Sequence, residues 1–122
     1  PILKNYTNIK YLAISNVEKK EDVLKYKKII PNHIMIVPKI ESVKGIMNIK
    51  EITDELEVNN KIVMLDHDDL FSSIIKSKKP VSTFKKCVSK LVIFCKKNKI
   101  TLLRTVGVVF SDDEFRTTQY IR

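Results

Sequence analysis

Four short apolar runs, separated by longer segments, are the feature that most constrains the fold of this chain. The runs are rich in Ile, Val and Leu, and they cover residues 10–17, 33–40, 61–66 and 100–110. Uniformly apolar strands of this kind are typical of parallel sheets, because βαβ crossovers cover the faces of such a sheet with helices. The order strand, helix, strand therefore predicts right-handed, parallel βα units.

The segments between the runs carry apolar residues at helical spacing and predict three main helices. The first covers residues 21–30, the second covers residues 43–56, and the third begins near Pro80. Proline is favoured in the first turn of a helix, which supports that start. The apolar face predicted for the third helix consists of Val81, Phe84, Val88, Leu91, Val92 and Cys95. Residues 66–80 are predicted to form a long loop.

The length of the chain limits how much of a barrel it can form. The 122 residues have the composition of an ordinary globular domain, with 43% hydrophobic and 30% charged residues. An eight-stranded TIM-type barrel typically needs about 250 residues. We therefore predict that residues 1–122 form a single partial domain, about half of such a barrel. Unpaired strand edges can pair with further strands. We therefore expect either a homo-oligomer or the remainder of the barrel to complete the partial domain.

Hydropathy and cysteine spacing both favour a cytoplasmic protein without a membrane partner. No apolar run reaches the roughly 18 residues that a membrane span requires, and residues 1–10 lack the apolar stretch of a signal peptide. Cys87 and Cys95 lie about 12 Å apart along one predicted helix, beyond the roughly 7 Å limit for a disulfide. Two free thiols are therefore expected.

The net charge of +9 comes almost entirely from lysine, with 20 Lys against 3 Arg. The lysines occur in every segment without interleaved aromatic residues, which argues against a nucleic-acid partner and for solvated helix faces. A lysine-rich module that binds an acidic partner, or a non-catalytic remnant of an enzyme, stays open as an alternative function.

Charged residues end two of the apolar runs. Lys39 and Glu41 lie two positions apart at the end of the second run, so their side chains project from the same face. Asp66, Asp68 and Asp69 follow the third run. Adjacent parallel strands lie about 4.8 Å apart and bind ligands at their carboxyl ends. We therefore predict that Glu41 and one aspartate bind Mg²⁺ or Mn²⁺, while Lys39 neutralises an anionic substrate.

Two simpler interpretations of these charges stay open at this point. One is that Lys39 and Glu41 form an ordinary exposed ion pair, which contributes little to stability. The other is that the three aspartates form a solvated loop in which one of them caps a helix.

The stretch PKIESVKGIMNIKEI, followed by IVMLDHDDL, resembles the pyruvate kinase segment in which a Lys-Ile-Glu strand end leads through a helix to an Asp-Leu loop. The likeness extends to AISNVEKKEDV and KLVIFCKKNKITLLRTVGVV and covers about residues 10–108. It implies a TIM barrel, a divalent metal, phosphoenolpyruvate or pyruvate as the substrate, and a place in glycolysis. Phosphoryl transfer to ADP is implied only if the rest of the barrel is supplied.

The resemblance also implies roles for individual residues. Lys39 is expected to stabilise the phosphoryl group or the enolate oxygen, and Glu41 and Asp69 are expected to hold the metal. Thr105 is expected to lie near the substrate carbon that is protonated.

Asp68 and Gly107 complete the predicted substrate-binding residues. Asp68 precedes the metal-binding aspartate where the family has glycine, and His67 stands where it has arginine. Gly107 lies at a strand end, which indicates a close backbone approach or a bulge.

A second family is similar in the same region. The hydroxy-ketoacid aldolases and citrate-lyase β subunits share the barrel type, and DLFSSI resembles their Asp-Leu-Ser-x-Ser loop. Their members hold Mg²⁺ with a Glu and an Asp against a pyruvate-like carbonyl and need no ADP. This resemblance implies a C–C lyase as the alternative to the kinase.

Overall fold

The computed structural model describes residues 10–105 and the backbone of residues 120–121. Strands and helices alternate along the described chain. In chain order they are β1 (Tyr11–Ile14), α1 (Lys20–Lys27), β2 (Met35–Ile40), α2 (Val43–Met47), α3 (Ile49–Asp54), β3 (Ile62–Leu65), α4 (His67–Lys76), α5 (Ser82–Lys97), β4 (Thr101–Thr105) and β5 (Tyr120–Ile121).

The first four strands form a parallel sheet in which each strand lies beside its neighbour in the sequence. Helices connect them, as right-handed crossovers require. This confirms the predicted α/β fold of four parallel strands that corresponds to part of a TIM-type barrel. The sequence did not predict β5, which pairs antiparallel with β4 through Arg104 and Ile121.

The core lies between the sheet and its helices. One sheet face is buried under the helices and includes Ile14, Ile40, Val63, Leu65 and Leu102. On the opposite face several side chains are less covered: Tyr11 is 51% exposed, and Met35 and Met64 are half-buried, whereas Val37 is buried. The interior of a barrel corresponds to this second face, which also carries Lys39.

A helix, α4, occupies most of the stretch that was predicted to be a long loop, so that prediction was wrong. The Asp66 side chain accepts a hydrogen bond from the Asp69 N–H at 2.9 Å and caps the first turn. Leu70 and Ile74, four positions apart, are fully buried on one side of α4. In the sequence, this cap and this one apolar pair are weak indications of a helix, because they lie within a run of charged and hydroxyl side chains.

The three predicted helices are present but differ in detail from the structure, the first of them ending at Lys27 instead of residue 30. Residues 43–56 form two helices because the chain turns at Asn48, whose side-chain amide donates to the Glu18 carbonyl at 2.8 Å. The last helix begins at Ser82, and Val81, predicted on its apolar face, is exposed. The buried strip of α5 consists of Cys87, Leu91 and Cys95.

Within residues 10–105, no helix is both long enough and apolar enough to cross a membrane. Cys87 and Cys95 are both buried free thiols, which confirms the prediction from their spacing. Burial raises the pKa of the Cys95 thiol to about 11, so it stays protonated at neutral pH.

Candidate functional site

Three carboxylates meet at the carboxyl ends of β2 and β3. Glu41 directly follows β2, Asp66 directly follows β3, and Asp69 lies in the first turn of α4. One oxygen atom from each lies within 4.8 Å of the others. The parallel ladder produces this convergence, because the Asp66 N–H donates to the Ile40 carbonyl at 3.1 Å and brings the two strand ends together.

Lys39 joins the cluster through Asp66. Its ammonium nitrogen lies 3.4 Å from an Asp66 carboxylate oxygen, and the two side chains are only 25% and 17% exposed. Lys39 is paired with Met64 in the register of β2 and β3, and it projects from the sheet face opposite the helices. The site therefore contains a fixed cation on the side that corresponds to the barrel interior.

Glu41 and Asp69 lie close enough to share a proton. Burial, followed by the hydrogen bond with Asp69, raises the pKa of Glu41, although the Asn16 N–H that donates to its carboxylate and the nearby Lys39 oppose this shift. The hydrogen bond with Glu41 lowers the pKa of Asp69. Of the two carboxyls, Asp69 therefore loses its proton first as the pH rises, and Glu41 loses its proton last.

The donor set of this cluster fits a hard divalent cation. Carboxylate oxygens in an incomplete cage suit Mg²⁺ or Mn²⁺, which completes its coordination with water and an anionic ligand. Both oxygens of Asp66 already have partners, the Asp69 N–H and Lys39. Glu41 and Asp69, unlike Asp66, line the cavity beside the cluster. They are therefore the better candidates for metal ligands.

An open cavity of about 370 Å³ adjoins the carboxylates. Glu41 and Asp69 line one end of it. The remaining lining residues are polar: Asn16, Glu18, Ser42, Ser72, Ser73, Lys76 and Ser77. The last four lie three, four, seven and eight positions after Asp69 and so share one face of α4. Sequence reasoning missed them because it predicted a loop there, although their helical spacing was visible.

His67 has a separate contact outside the carboxylate cluster. The Arg104 guanidinium donates through Nε to His67 Nε2 at 3.1 Å. Burial, and then the charge of Arg104, lowers the pKa of His67, so the imidazole is neutral at pH 7. This contact connects the start of α4 with β4.

Of the remaining predicted site residues, the structure describes only the side chain of Asp68. Asp68 is exposed, and its carboxylate is not one of the three that converge. The backbone of Thr105 lies at the end of β4, where it pairs with Tyr120, but its side chain is outside the description. Gly107 lies outside the described residues.

In metal-free buffer at pH 7, Glu41→Gln is expected to unfold at a higher urea concentration than the wild type. The folded state raises the pKa of Glu41 and so binds its proton more tightly than the unfolded chain does. The stabilising effect of that proton is lost as pH rises through the raised pKa, whereas Gln keeps a donor for Asp69 at every pH. The difference between the proteins should shrink below about pH 4.5, the ordinary value for Glu. The exposed Glu57→Gln is the control, and a pH-independent difference would contradict the shared proton.

Comparisons with known proteins find solved structures with a similar fold but no match by sequence. No family model matches this sequence, and no curated protein matches it. Among solved structures, RipC from Yersinia pestis is similar with a TM-score of 0.70 and 16% identity, covering 90% of this chain and 51% of RipC. Cryptosporidium parvum pyruvate kinase, solved in complex with ADP, is similar with a TM-score of 0.61 and 22% identity, covering 83% of this chain and 21% of that protein.

The chain spans about half the length of RipC and about a fifth of the pyruvate kinase. At these identities the likeness concerns the fold alone. It supports the α/β architecture, and it includes a pyruvate kinase, the family that the Lys-Ile-Glu segment resembles.

Proposed function

We propose that this chain is part of a βα barrel that binds Mg²⁺ or Mn²⁺ together with a phosphoenolpyruvate-like or pyruvate-like anion and stabilises the enolate form of that anion. The observation that carries the proposal is the convergence of Glu41, Asp66 and Asp69 within 4.8 Å, beside Lys39, at the ends of two adjacent parallel strands. Ligand sites of parallel α/β folds lie at such strand ends.

Glu41 and Asp69 are the residues proposed to hold the metal, because both of them line the cavity and Asp66 does not. Asp66 has a different role in the proposal, because it caps α4 and holds the ammonium group of Lys39. A bound divalent cation supplies positive charge close to the oxygen on which negative charge develops. The structural-neighbour pyruvate kinase is consistent with a small anionic substrate of this class.

Lys39 is proposed to stabilise the anion from a fixed position. Its ion pair with Asp66 orients the ammonium group before a ligand arrives, so little reorganisation is required when charge develops. Lys39 and Glu41, two positions apart, project from the same face of the sheet. An enolate oxygen between the metal and Lys39 would face two cations in a partly buried site.

A C–C lyase of the hydroxy-ketoacid aldolase type is the second candidate. The Lys39–Asp66 ion pair favours it, because a lysine whose charge is already balanced contributes less to the transfer of a highly charged phosphoryl group. Phosphoryl transfer to ADP also needs a nucleotide pocket and further cations, which the complete barrel would have to supply. No kinase turnover is therefore expected from this chain alone.

The test of the proposal is exchange of the methyl protons of pyruvate with D₂O, followed by NMR in the presence of Mg²⁺. The wild-type chain is expected to accelerate exchange, and Glu41→Gln and Lys39→Met are each expected to slow it by about 100-fold, a typical effect of removing one charge-stabilising group. Glu57→Gln and Lys44→Met, at exposed positions, are the matched controls. Exchange that persists in both site variants would place the chemistry elsewhere.

A further inference from the structure

Glu18, a half-buried residue in the loop between β1 and α1, is held at three points. Its N–H donates to a carboxylate oxygen of Asp22 in α1 at 2.9 Å. Its carbonyl oxygen accepts from the side-chain amide of Asn48, at the turn between α2 and α3, at 2.8 Å. Its carboxylate accepts from the hydroxyl of Ser42, directly before α2, at 2.8 Å. Glu18 therefore joins the loop after β1 to three helices.

The contact between Glu18 and Ser42 lies beside a residue of the candidate site. Ser42 directly follows Glu41 and is only 8% exposed. Its hydroxyl oxygen accepts from the Gly45 N–H at 3.2 Å and caps α2, while its O–H donates to Glu18. A hydroxyl that donates to a carboxylate forms one of the stronger hydrogen bonds in proteins. The carboxylate of Glu18 thus connects its loop to the end of β2.

The loop directs two consecutive N–H groups at the end of β2. The Asn16 N–H donates to the Glu41 carboxylate. The next residue, Val17, is fully buried, and its N–H donates to the Lys39 carbonyl at 3.2 Å. Asn16 has a φ of +56°, in the left-handed region that Asn adopts more readily than most other residues. The position of residues 16–18 therefore determines where the Asn16 N–H meets Glu41.

We propose that Glu18 is a positioning residue of the candidate site, which holds the loop after β1 so that the Asn16 N–H fixes the Glu41 carboxylate. An N–H donor on one oxygen restricts rotation of the carboxylate. Hydrogen-bond partners of metal-binding side chains orient them, and losing such a partner typically weakens metal binding about 10–100-fold. The effect on metal binding rests on the proposed function, whereas the effect on the contact between Asn16 and Glu41 does not.

A direct role as a metal ligand is the alternative for Glu18, because it also lines the cavity. Its carboxylate is not one of the three that converge, and Ser42 already donates to one of its oxygens. A ligand role requires the negative charge, whereas a positioning role requires only an acceptor for the Ser42 hydroxyl. Glu18→Gln removes the charge and keeps an acceptor, and Glu18→Ala removes both. The two variants therefore separate the two roles.

The backbone amide of Asn16 reports the positioning role directly, by NMR of the full chain in metal-free buffer. Its proton is expected to resonate downfield in the wild type and in Glu18→Gln, and to move upfield in Glu18→Ala. Asn48→Ala, which frees the Glu18 carbonyl, should move it in the same direction. Glu41→Ala gives the reference for the lost contact, and Glu21→Ala, at an exposed position in α1, is the matched control. An Asn16 amide unchanged in both Glu18→Ala and Asn48→Ala would overturn the proposal.

Isothermal titration calorimetry with Mn²⁺ and oxalate measures the effect on binding. Glu18→Ala is expected to raise the Kd about tenfold or more, and Glu18→Gln less than about threefold, because water screens a half-exposed charge. Circular dichroism should show that both variants and the control Glu21→Ala are folded. Equal losses in Glu18→Gln and Glu18→Ala would show that the charge is required and overturn the positioning role. Absence of binding by the wild type would refute the proposed function, and the Asn16 amide would then decide the role of Glu18 by itself.

Discussion

Mn²⁺ at millimolar concentration, together with oxalate, is expected to raise the melting temperature of the wild-type protein by roughly 10 °C, and Glu41→Gln is expected to show no rise. Oxalate is a planar dianion that resembles an enolate of pyruvate. A ligand at 100 times its Kd stabilises the folded state by about 2.7 kcal/mol. In a domain of this size, 1 kcal/mol shifts the melting temperature by about 4 °C.

The pH dependence of this stabilisation follows from the pKa of Glu41. Burial and Asp69 raise that pKa, so the metal must displace a proton that the folded protein holds tightly. Stabilisation by Mn²⁺ and oxalate should therefore increase as pH rises from about 4.5 and level off above the raised pKa. Lowering the pH restores the proton and removes the effect.

Controls separate the metal site from general ion effects. Glu57→Gln, at an exposed position, should retain the full temperature shift. Mn²⁺ without oxalate should give a smaller shift, because the protein offers an incomplete ligand cage. An identical melting curve with and without Mn²⁺ and oxalate, or a shift that persists in Glu41→Gln, would argue that the carboxylates form only a structural cluster.

Gly45→Ala is expected to destabilise the folded protein by about 2 kcal/mol. A Cβ atom at Gly45 would lie 2.8 Å from the Val17 carbonyl oxygen, closer than real Cβ atoms come to a neighbour, and a tight 3.1 Å from Ile40 Cγ2. Overpacking of a tight interior costs about 1–3 kcal/mol, although the better helix propensity of Ala returns up to about 1 kcal/mol. The close approach of α2 to the loop after β1 therefore requires glycine.

Gly45→Ala is also expected to disturb the geometry of the candidate site. The Val17 N–H donates to the Lys39 carbonyl at 3.2 Å, so displacement of Val17 would also shift the end of β2 that carries Lys39 and Glu41. Urea denaturation measures the stability loss, and the Mn²⁺–oxalate temperature shift measures the effect on the site. Lys44→Ala, an exposed neighbour in α2, is the control. An unchanged urea midpoint in Gly45→Ala would contradict the close approach.

Sequence reasoning found the strands more reliably than the helices. All four parallel strands lie within the predicted runs. Short, largely apolar segments bounded by polar residues are typical of buried strands. The helix α4 was missed because its signal is only a cap at Asp66 and two buried residues, Leu70 and Ile74. The break at Asn48 depends on a hydrogen bond to Glu18, 30 positions away, which no local pattern reveals.

The candidate site was predictable in its members but not in its internal partners. Lys39 and Glu41 were predicted from the strand ends and Asp69 was implied by the family resemblance; the structure places all three beside Asp66. The pairing of Lys39 with Asp66, and the opposite pKa shifts of Glu41 and Asp69, were not predicted. Residues two positions apart in a strand share a face, but their contacts depend on the neighbouring strand and on the turn that follows it.

The sequence by itself determined the order of strands and helices, the parallel α/β class and the strand ends that carry charge. These follow from local rules, because side-chain period and apolar composition are properties of short segments. Only the tertiary structure decided which carboxylates converge and that α4 lines the cavity beside them. Such features depend on the register between strands and on helix packing, and therefore on distances between residues that are far apart in the chain.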